Sequence, residues 1–550
     1  MNMPRNEMKD LTIKYKDFAI SALFGIVVFV FWYVAYPHAL SYQEQYQLFL
    51  WTGDYFANSI SIPGGFADWL GEMVMQFYYV PWMGALLLAV VFVAFARLVR
   101  WLPAMLLFWL LGDPAVTQGY VMSIMLAAGA FKLNRTKGRK GLLMDLAVVP
   151  LLYWLAGPLA WFYVLLRMTR TGLWGALHII TLLAVALLAY RFMLDQLPME
   201  KVLTPTLYYR ISLETNSLMW VIPLVAVAEH LATHLPSVRQ FMESRPRRLL
   251  GLSYYHYAYA ALCMLVAWVG ISKGYDKDMY ELIRQDYLVR NERWDDLIKR
   301  AEKYQVNTAF SSVCVNLALA EKRQLAERMF EFYQNGEDAL IMPYFRDNTT
   351  MLPTAEAFWR LGMVNSAMRY MFDTQESILN GKLSGRCTKR IAECMLVNGQ
   401  YPAAAKQIRI LKNTLFYKAW AEEAEAMLNN EQLIDAHPVY GKVRKLRFRE
   451  EHLYSYKDIA DLLCTLFTEN KDNKMALDYY MGQLLLESKI GPFRRSIPLV
   501  QQYGGYGQMP RGYQDAITAI ESGGRAFGSA YVDYVNRMLQ TRTKQPVLPN

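Results

Sequence analysis

The chain has 550 residues, of which 54% are hydrophobic and 19% charged, with a formal net charge of +10. That length exceeds one globular core and implies two domains or more; the charges lie mainly in the second half, which separates a membrane half from a water-soluble half. The positive balance does not indicate nucleic acid, because no recognition motif accompanies it and many of the basic residues sit in short clusters between apolar runs, where they set membrane topology.

An apolar run of about 18 residues or more reads as a transmembrane helix, since lipid offers the backbone no hydrogen-bond partner. Arg5, Lys9, Lys14 and Lys16 precede the first run, Asp17 to Tyr36, and place the N-terminus in the cytoplasm. The run has no small-x-small site at its end and is expected to remain as an anchor. An outer loop, His38 to Tyr79, leads to a return through Val80 to Leu98, ending at Arg97 and Arg100. Two shorter runs follow, Leu102 to Leu111 and Val116 to Phe131, separated by the turn Gly112-Asp113-Pro114. The cluster Lys132, Arg135, Lys137, Arg139 and Lys140 is the clearest cytoplasmic marker.

Leu142 to Ala156 and Leu159 to Leu166 form a second short hairpin around Gly157-Pro158, returning to Arg167 and Arg170. A run from Gly172 to Tyr190 leads outward, a long outer loop spans Arg191 to Asn216, and Ser217 to Leu231 comes back to Arg239, Arg245, Arg247 and Arg248. The last run, Tyr254 to Ser272, goes out. The expected fold is therefore all-α, with about nine spans in residues 1–272, because every basic cluster then falls on the cytoplasmic side. This alternation puts Lys273 to Asn550 outside the cytoplasm, in the periplasm of a two-membrane bacterium.

From 273 to 490 the chain is polar and helical. A small residue, a large apolar residue three on, a turn four further and an Ala five further recur at Ala355, Phe358, Gly362 and Ala367, at Ala392, Met395, Gly399 and Ala404, and at Cys464, Phe467, Lys471 and Ala476. These residues resemble the tetratricopeptide repeat, in which small residues let two helices approach and large ones wedge between neighbours. The resemblance implies a stack of helical hairpins with concave surface for a peptide or an envelope protein, and no catalysis of its own. A generic helical domain without true repeats is the alternative. From Gly491 to 550 the Gly- and Pro-rich sequence suggests an irregular cap and a loose end. The five cysteines are odd in number and lack CxxC spacing; Cys387 and Cys394, seven apart on one helix, would stand roughly 10 Å apart along the axis, so all are expected to be buried small residues.

The outer loop carries the candidate chemistry. After the Pro63-Gly64-Gly65 turn, Phe66, Trp69, Leu70, Met73 and Phe77 share one helical face and Asp68, Glu72 and Gln76 form a row opposite, as in a helix lying in the membrane interface. An outer loop with acids beside such a helix resembles the C-type glycosyltransferases, polytopic enzymes that use lipid-phosphate-linked sugars. In that family an acid early in this loop is base or metal ligand. The resemblance implies Glu44 and Asp54 as catalytic candidates, Asp68 and Glu72 at the substrate, and Arg191, Lys201 and Arg210 of the second outer loop as cations for a polyprenyl-linked phosphate. The family's paired-acid motif is absent, Glu44 being flanked by Gln43 and Gln45. More broadly, the chain resembles an uncharacterised bacterial family of polytopic inner-membrane proteins with helical-repeat tails.

Other groups are weaker. Glu229, His230 and His234 close a span without the HExxH order or a third ligand, so no metal site is assigned. Asp145 and His178 fall within or at the edge of spans, where ionisable groups are functional suspects. No Walker loop, dinucleotide glycine pattern or nucleophile elbow occurs, no cofactor is indicated, and a non-enzymatic membrane-anchored scaffold stands beside the enzyme.

Overall fold

The computed structural model describes residues 5–171, 175–196, 198–204, 216–236, 254–345, 347, 349–378, 381–448, 459–523 and 528–544. Helices are joined by turns and short loops throughout, with no strand among the described residues. The chain divides into two compact units. The first comprises residues 1–277 with two short later stretches, Leu379–Lys382 and Asn413–Phe416; the second comprises the remainder.

In the first unit, α1 (Arg5–Val30) continues as a π-helical turn, Phe31–Ala35. Next come α2 (Pro37–Glu44), α3 (Gly53–Ile60), α4 (Gly65–Met75), α5 (Pro81–Leu98), α6 (Trp101–Leu110) and α7 (Gln118–Leu133). Then follow α8 (Gly138–Ala156), α9 (Ala160–Thr171), α10 (Gly175–Met193), α11 (Leu218–Ala232) and α12 (Tyr254–Gly274). Among the described residues, helix occupies most of each apolar run, since every backbone amide in lipid needs an internal partner.

Among the described residues, five stretches are long and apolar enough to cross a membrane: Asp17–Ala35, Pro81–Leu98, Gly138–Thr171, Gly175–Met193 and Tyr255–Gly274. The third, of 34 residues, contains the corner Gly157–Leu159 between α8 and α9. Helices α6 and α11 are shorter, with 10 and 15 residues.

The outer loop is helical, not open. Glu44, expected in an exposed loop, ends α2 and is buried, whereas Asp54 in the first turn of α3 is exposed. Thr52 caps α3 through its side-chain oxygen, which accepts the Tyr55 amide at 3.2 Å. The Pro63-Gly64-Gly65 turn is anchored by a hydrogen bond from the Gly64 amide to the Trp154 carbonyl at 2.8 Å. Helix α4 then lies directly on α7. A Cβ on Gly71 would come within 2.3 Å of the Gly119 amide nitrogen, so the two backbones touch where neither residue has a side chain. Asn413 and Phe416 belong to the same unit: the Trp51 amide donates to the Asn413 carbonyl at 2.8 Å, and Phe416 stacks on Tyr79.

The second unit begins with α13 (Lys277–Arg290), α14 (Trp294–Ala301), α15 (Ala309–Glu321) and α16 (Leu325–Arg328). Helical hairpins follow: α17 (Met351–Leu361) with α18 (Val364–Glu376), and α19 (Gly385–Val397) with α20 (Tyr401–Lys412). After α21 (Lys418–Ala426), α22 (Glu431–Ala436) and α23 (Tyr440–Leu446), a third hairpin pairs α24 (Ile459–Glu469) with α25 (Lys474–Leu486). The recurrent small residues lie inside them: Ala355, Ala367, Ala392, Ala404 and Ala476 are buried. The turns Gly362 and Gly399 take φ of +83° and +73°, a left-handed conformation that costs glycine little.

The core of this unit contains charge. Arg386 contacts Asp286 at 2.7 Å, and Arg390 joins Glu356 at 2.8 Å and Glu393 at 2.6 Å. Burial raises the Glu356 carboxyl, but Arg390, Arg386 and Arg360 outweigh it and hold the group below its ordinary value.

The stretch after Gly491, expected to be irregular, is mostly helical: α26 (Ile490–Tyr503), α27 (Arg511–Glu521) and α28 (Ala530–Lys544). Its glycines fall mainly at joints between helices, and Tyr531 and Tyr534 are buried against Phe330, with ring centroids 5.1 and 5.2 Å away. All five cysteines are free, and four are buried.

Candidate functional site

In the row Asp68, Glu72 and Gln76, the last two face protein and Asp68 is half-buried. Spacing of four keeps the three on one side of the helix, and Glu72 and Gln76 are buried while the apolar residues opposite are half-exposed. In a membrane protein the apolar face can be the outer one, so the polar row turns inward to find partners.

Those partners come from far along the chain. Glu72, 3% exposed, accepts a hydrogen bond from the Tyr55 hydroxyl of α3 and pairs with the Lys382 ammonium. Gln76 accepts from the Trp51 indole N–H at 3.1 Å and donates to the Met73 carbonyl at 2.9 Å. Burial lowers the Lys382 ammonium, but the Glu72 and Asp68 carboxylates outweigh it and leave it raised, so the lysine stays charged. Burial, with Glu72 adding to it, raises the Tyr55 phenol and keeps it a donor.

Asp68 differs from Glu72. Its carboxylate makes no hydrogen bond among the described residues and sits over the first turn of α7, where a Cβ on Gly119 would lie 2.0 Å from its Oδ1. The cap of α7, Thr117, supplies no side-chain acceptor. Beside Gly119, Gln118 is 1% exposed and both polar atoms of its amide lack partners among the described residues. Burial pushes the Asp68 carboxyl up, Lys382 lowers it and Glu72 raises it again, and the balance is about 6. One α4 acid is thus committed to an ion pair, while its neighbour one turn away is poised to exchange a proton near neutrality.

The remaining sequence candidates lie elsewhere in the chain. Glu44 is buried on α2, Asp54 is exposed on α3, and Arg191 is exposed in the last turn of α10. Lys201 lies in the turn Met199–Val202 with its side chain outside the described residues, and Arg210 lies outside them altogether. Lys382 and Tyr55 escaped sequence reasoning. For Tyr55, its position ahead of the turn to α4 was the available signal; for Lys382 there was none.

A second polar centre lies among α7 to α10. Asp145, Arg167 and His178 are 0%, 0% and 1% exposed. Arg167 Nε donates to Asp145 Oδ2 at 2.8 Å, and His178 Nε2 is 3.2 Å from the same oxygen. The other oxygen, Oδ1, accepts from Asn134 at 2.7 Å and from the Tyr163 hydroxyl. Arg167 also donates to the carbonyls of Asn134 and Thr136 at 3.1 and 3.0 Å, and Arg170 to those of Phe131 and Asn134 at 2.9 and 2.8 Å. Two α9 arginines thereby satisfy carbonyls at and beyond the C-terminal end of α7, where the helix dipole favours cations. Arg167, read from sequence as a cytoplasmic topology charge, is instead a buried partner of Asp145. Around α11, Glu229 accepts from Tyr259 at 2.7 Å and lies 3.5 Å from Arg100; His230 meets Thr169 at 3.2 Å. No group of three metal-binding side chains occurs among the described residues.

The chain belongs to a family of unknown function, DUF6057, whose profile matches residues 12–541. No curated protein and no solved structure matches it.

Proposed function

We propose that this family member is an enzyme of the C-type glycosyltransferase kind, taking a sugar from a polyprenyl-phosphate donor at the outer face of the inner membrane. The reading is carried by Asp68, a carboxyl held at about 6 beside an ion-paired Glu72. In the transfer, an acceptor oxygen bonds to the anomeric carbon, the carbon–oxygen bond to the lipid phosphate breaks with its electron pair leaving on phosphate, and the acceptor proton passes to Asp68. Lys382 and the uncapped first turn of α7 supply the positive field for the departing phosphate.

In this reading the membrane half makes about nine crossings, with the short helices completing the five longer ones, and the second unit is a tetratricopeptide-like domain in the periplasm. The purified chain is expected to release polyprenyl phosphate from labelled donor, at a rate that rises with pH through about 6. A reporter active only outside the cytoplasm is expected to work when fused after Lys273 and to fail after Arg139; the reverse pattern would overturn the orientation.

The second reading is a non-enzymatic scaffold whose hairpins dock envelope proteins. It is favoured by the burial of Glu44 on α2 while Asp54 stays exposed on α3, and by the internal neutralisation of Glu72. Donor that stays intact under all acceptors tried would leave this reading in place.

A further inference from the structure

The second unit has a small, shallow cleft at the start of α18. It forms because the chain after α23 crosses the Gly362 turn: the Phe448 amide donates to the Gly362 carbonyl at 3.0 Å, which sets Arg447 and Phe448 beside the first turn of α18. Asn365, Ser366, Asn398 and Arg447 give the cleft its polar lining, Phe448 and Leu462 an apolar wall, and among the described residues no acidic side chain lines it.

Three features point to one kind of ligand. The cap of α18, Met363, has no side-chain acceptor, so the amides of Val364, Asn365 and Ser366 have no partner among the described residues. Ser366 is 6% exposed and lines the cleft, and its hydroxyl makes no hydrogen bond among the described residues. Arg447 Nη1 donates to the Val397 carbonyl at 3.1 Å and reaches Asn398 Oδ1 at 3.4 Å, and Nε and Nη2 have no partner among the described residues. Asn398 is fixed in turn by donating to Asn365 Oδ1 at 2.8 Å. Ser366, the first-turn residues of α18 and Arg447 thus border one cleft, and hydroxyl, helix amides and guanidinium all favour negative charge there.

We infer that this cleft binds a carboxylate attached to an apolar group, as at the C-terminus of a peptide ending in a hydrophobic residue. The planar guanidinium matches a carboxylate in two-pronged geometry, and Phe448 and Leu462 receive the adjoining side chain. The inference is independent of the Asp68 reading, because every residue it uses lies in the second unit.

Calorimetry on the full chain in detergent tests it with N-acetyl-leucine, N-acetyl-leucinamide, N-acetyl-Ala-Ala-Leu and inorganic phosphate. The acid is expected to bind and the amide not to. Arg447→Gln, at an exposed position that should not disturb folding, is expected to weaken binding at least tenfold, with Arg447→Lys intermediate and Lys442→Gln unchanged. Tighter binding of the tripeptide than of N-acetyl-leucine assigns the cleft to a peptide end; equal binding assigns it to a free small acid and overturns the peptide assignment. Equal binding of acid and amide, no binding of either, preference for phosphate, or indifference to Arg447→Gln in a chain that melts like the parent would each overturn the carboxylate site.

Discussion

Arg167→Ala is expected to cost on the order of 3–5 kcal/mol of stability, the range for removing one member of a buried ion pair. The loss has two sources. Asp145 would keep a fully buried carboxylate without its guanidinium, and the Asn134 and Thr136 carbonyls would lose a charged donor. A double variant, Asp145→Leu with Arg167→Met, is expected to recover part of the loss, because no unpaired charge remains in the apolar interior. Thermal unfolding in detergent and the amount of protein reaching the membrane check both. An Arg167→Ala chain as stable as the parent would show that the pair is not formed in the membrane.

Asp68→Asn is expected to lower the proposed transfer rate by about 10²–10⁴, the usual contribution of a general base, while leaving the amount of folded protein unchanged. Stability gives a second readout with a definite sign. The folded-state carboxyl is raised from 3.8 to about 6, so the native chain holds a proton that the unfolded chain has released. Stability therefore falls as pH rises from about 4 to about 6 and stays lower above that window. The asparagine variant has no such titration, so it is expected to match the parent near pH 4 and to melt higher than it above pH 6. A variant that melts lower at neutral pH would assign Asp68 a structural bond instead of an unsatisfied, poised carboxyl.

What the sequence made legible follows from where each signal resides. Helices in lipid are dictated locally, so the apolar runs and turns such as Gly157-Pro158 could be read in order. The acid row on α4 was also local, since spacing of four sets a face. Its direction was not, because an amphipathic helix in water and one against lipid present opposite faces to the protein. Lys382 lies 310 residues beyond Glu72, and only tertiary folding joins them. Arg167 was misread for a related reason: a basic residue near a cytoplasmic cluster looks like a topology signal unless its buried acid, 22 residues earlier on the neighbouring helix, is known. The last 60 residues looked irregular because glycine and proline recur through them, yet many of these residues mark joints, and the helices between them are held by buried tyrosines.

The most direct test of the account is a structure of the full chain in lipid nanodiscs containing polyprenyl phosphate. The account predicts the phosphate within hydrogen-bond reach of Lys382 or the first turn of α7, with Asp68 facing the position an acceptor would occupy. A closed bundle whose α4 acids meet only protein, with the polyprenyl phosphate elsewhere or unbound, would contradict it.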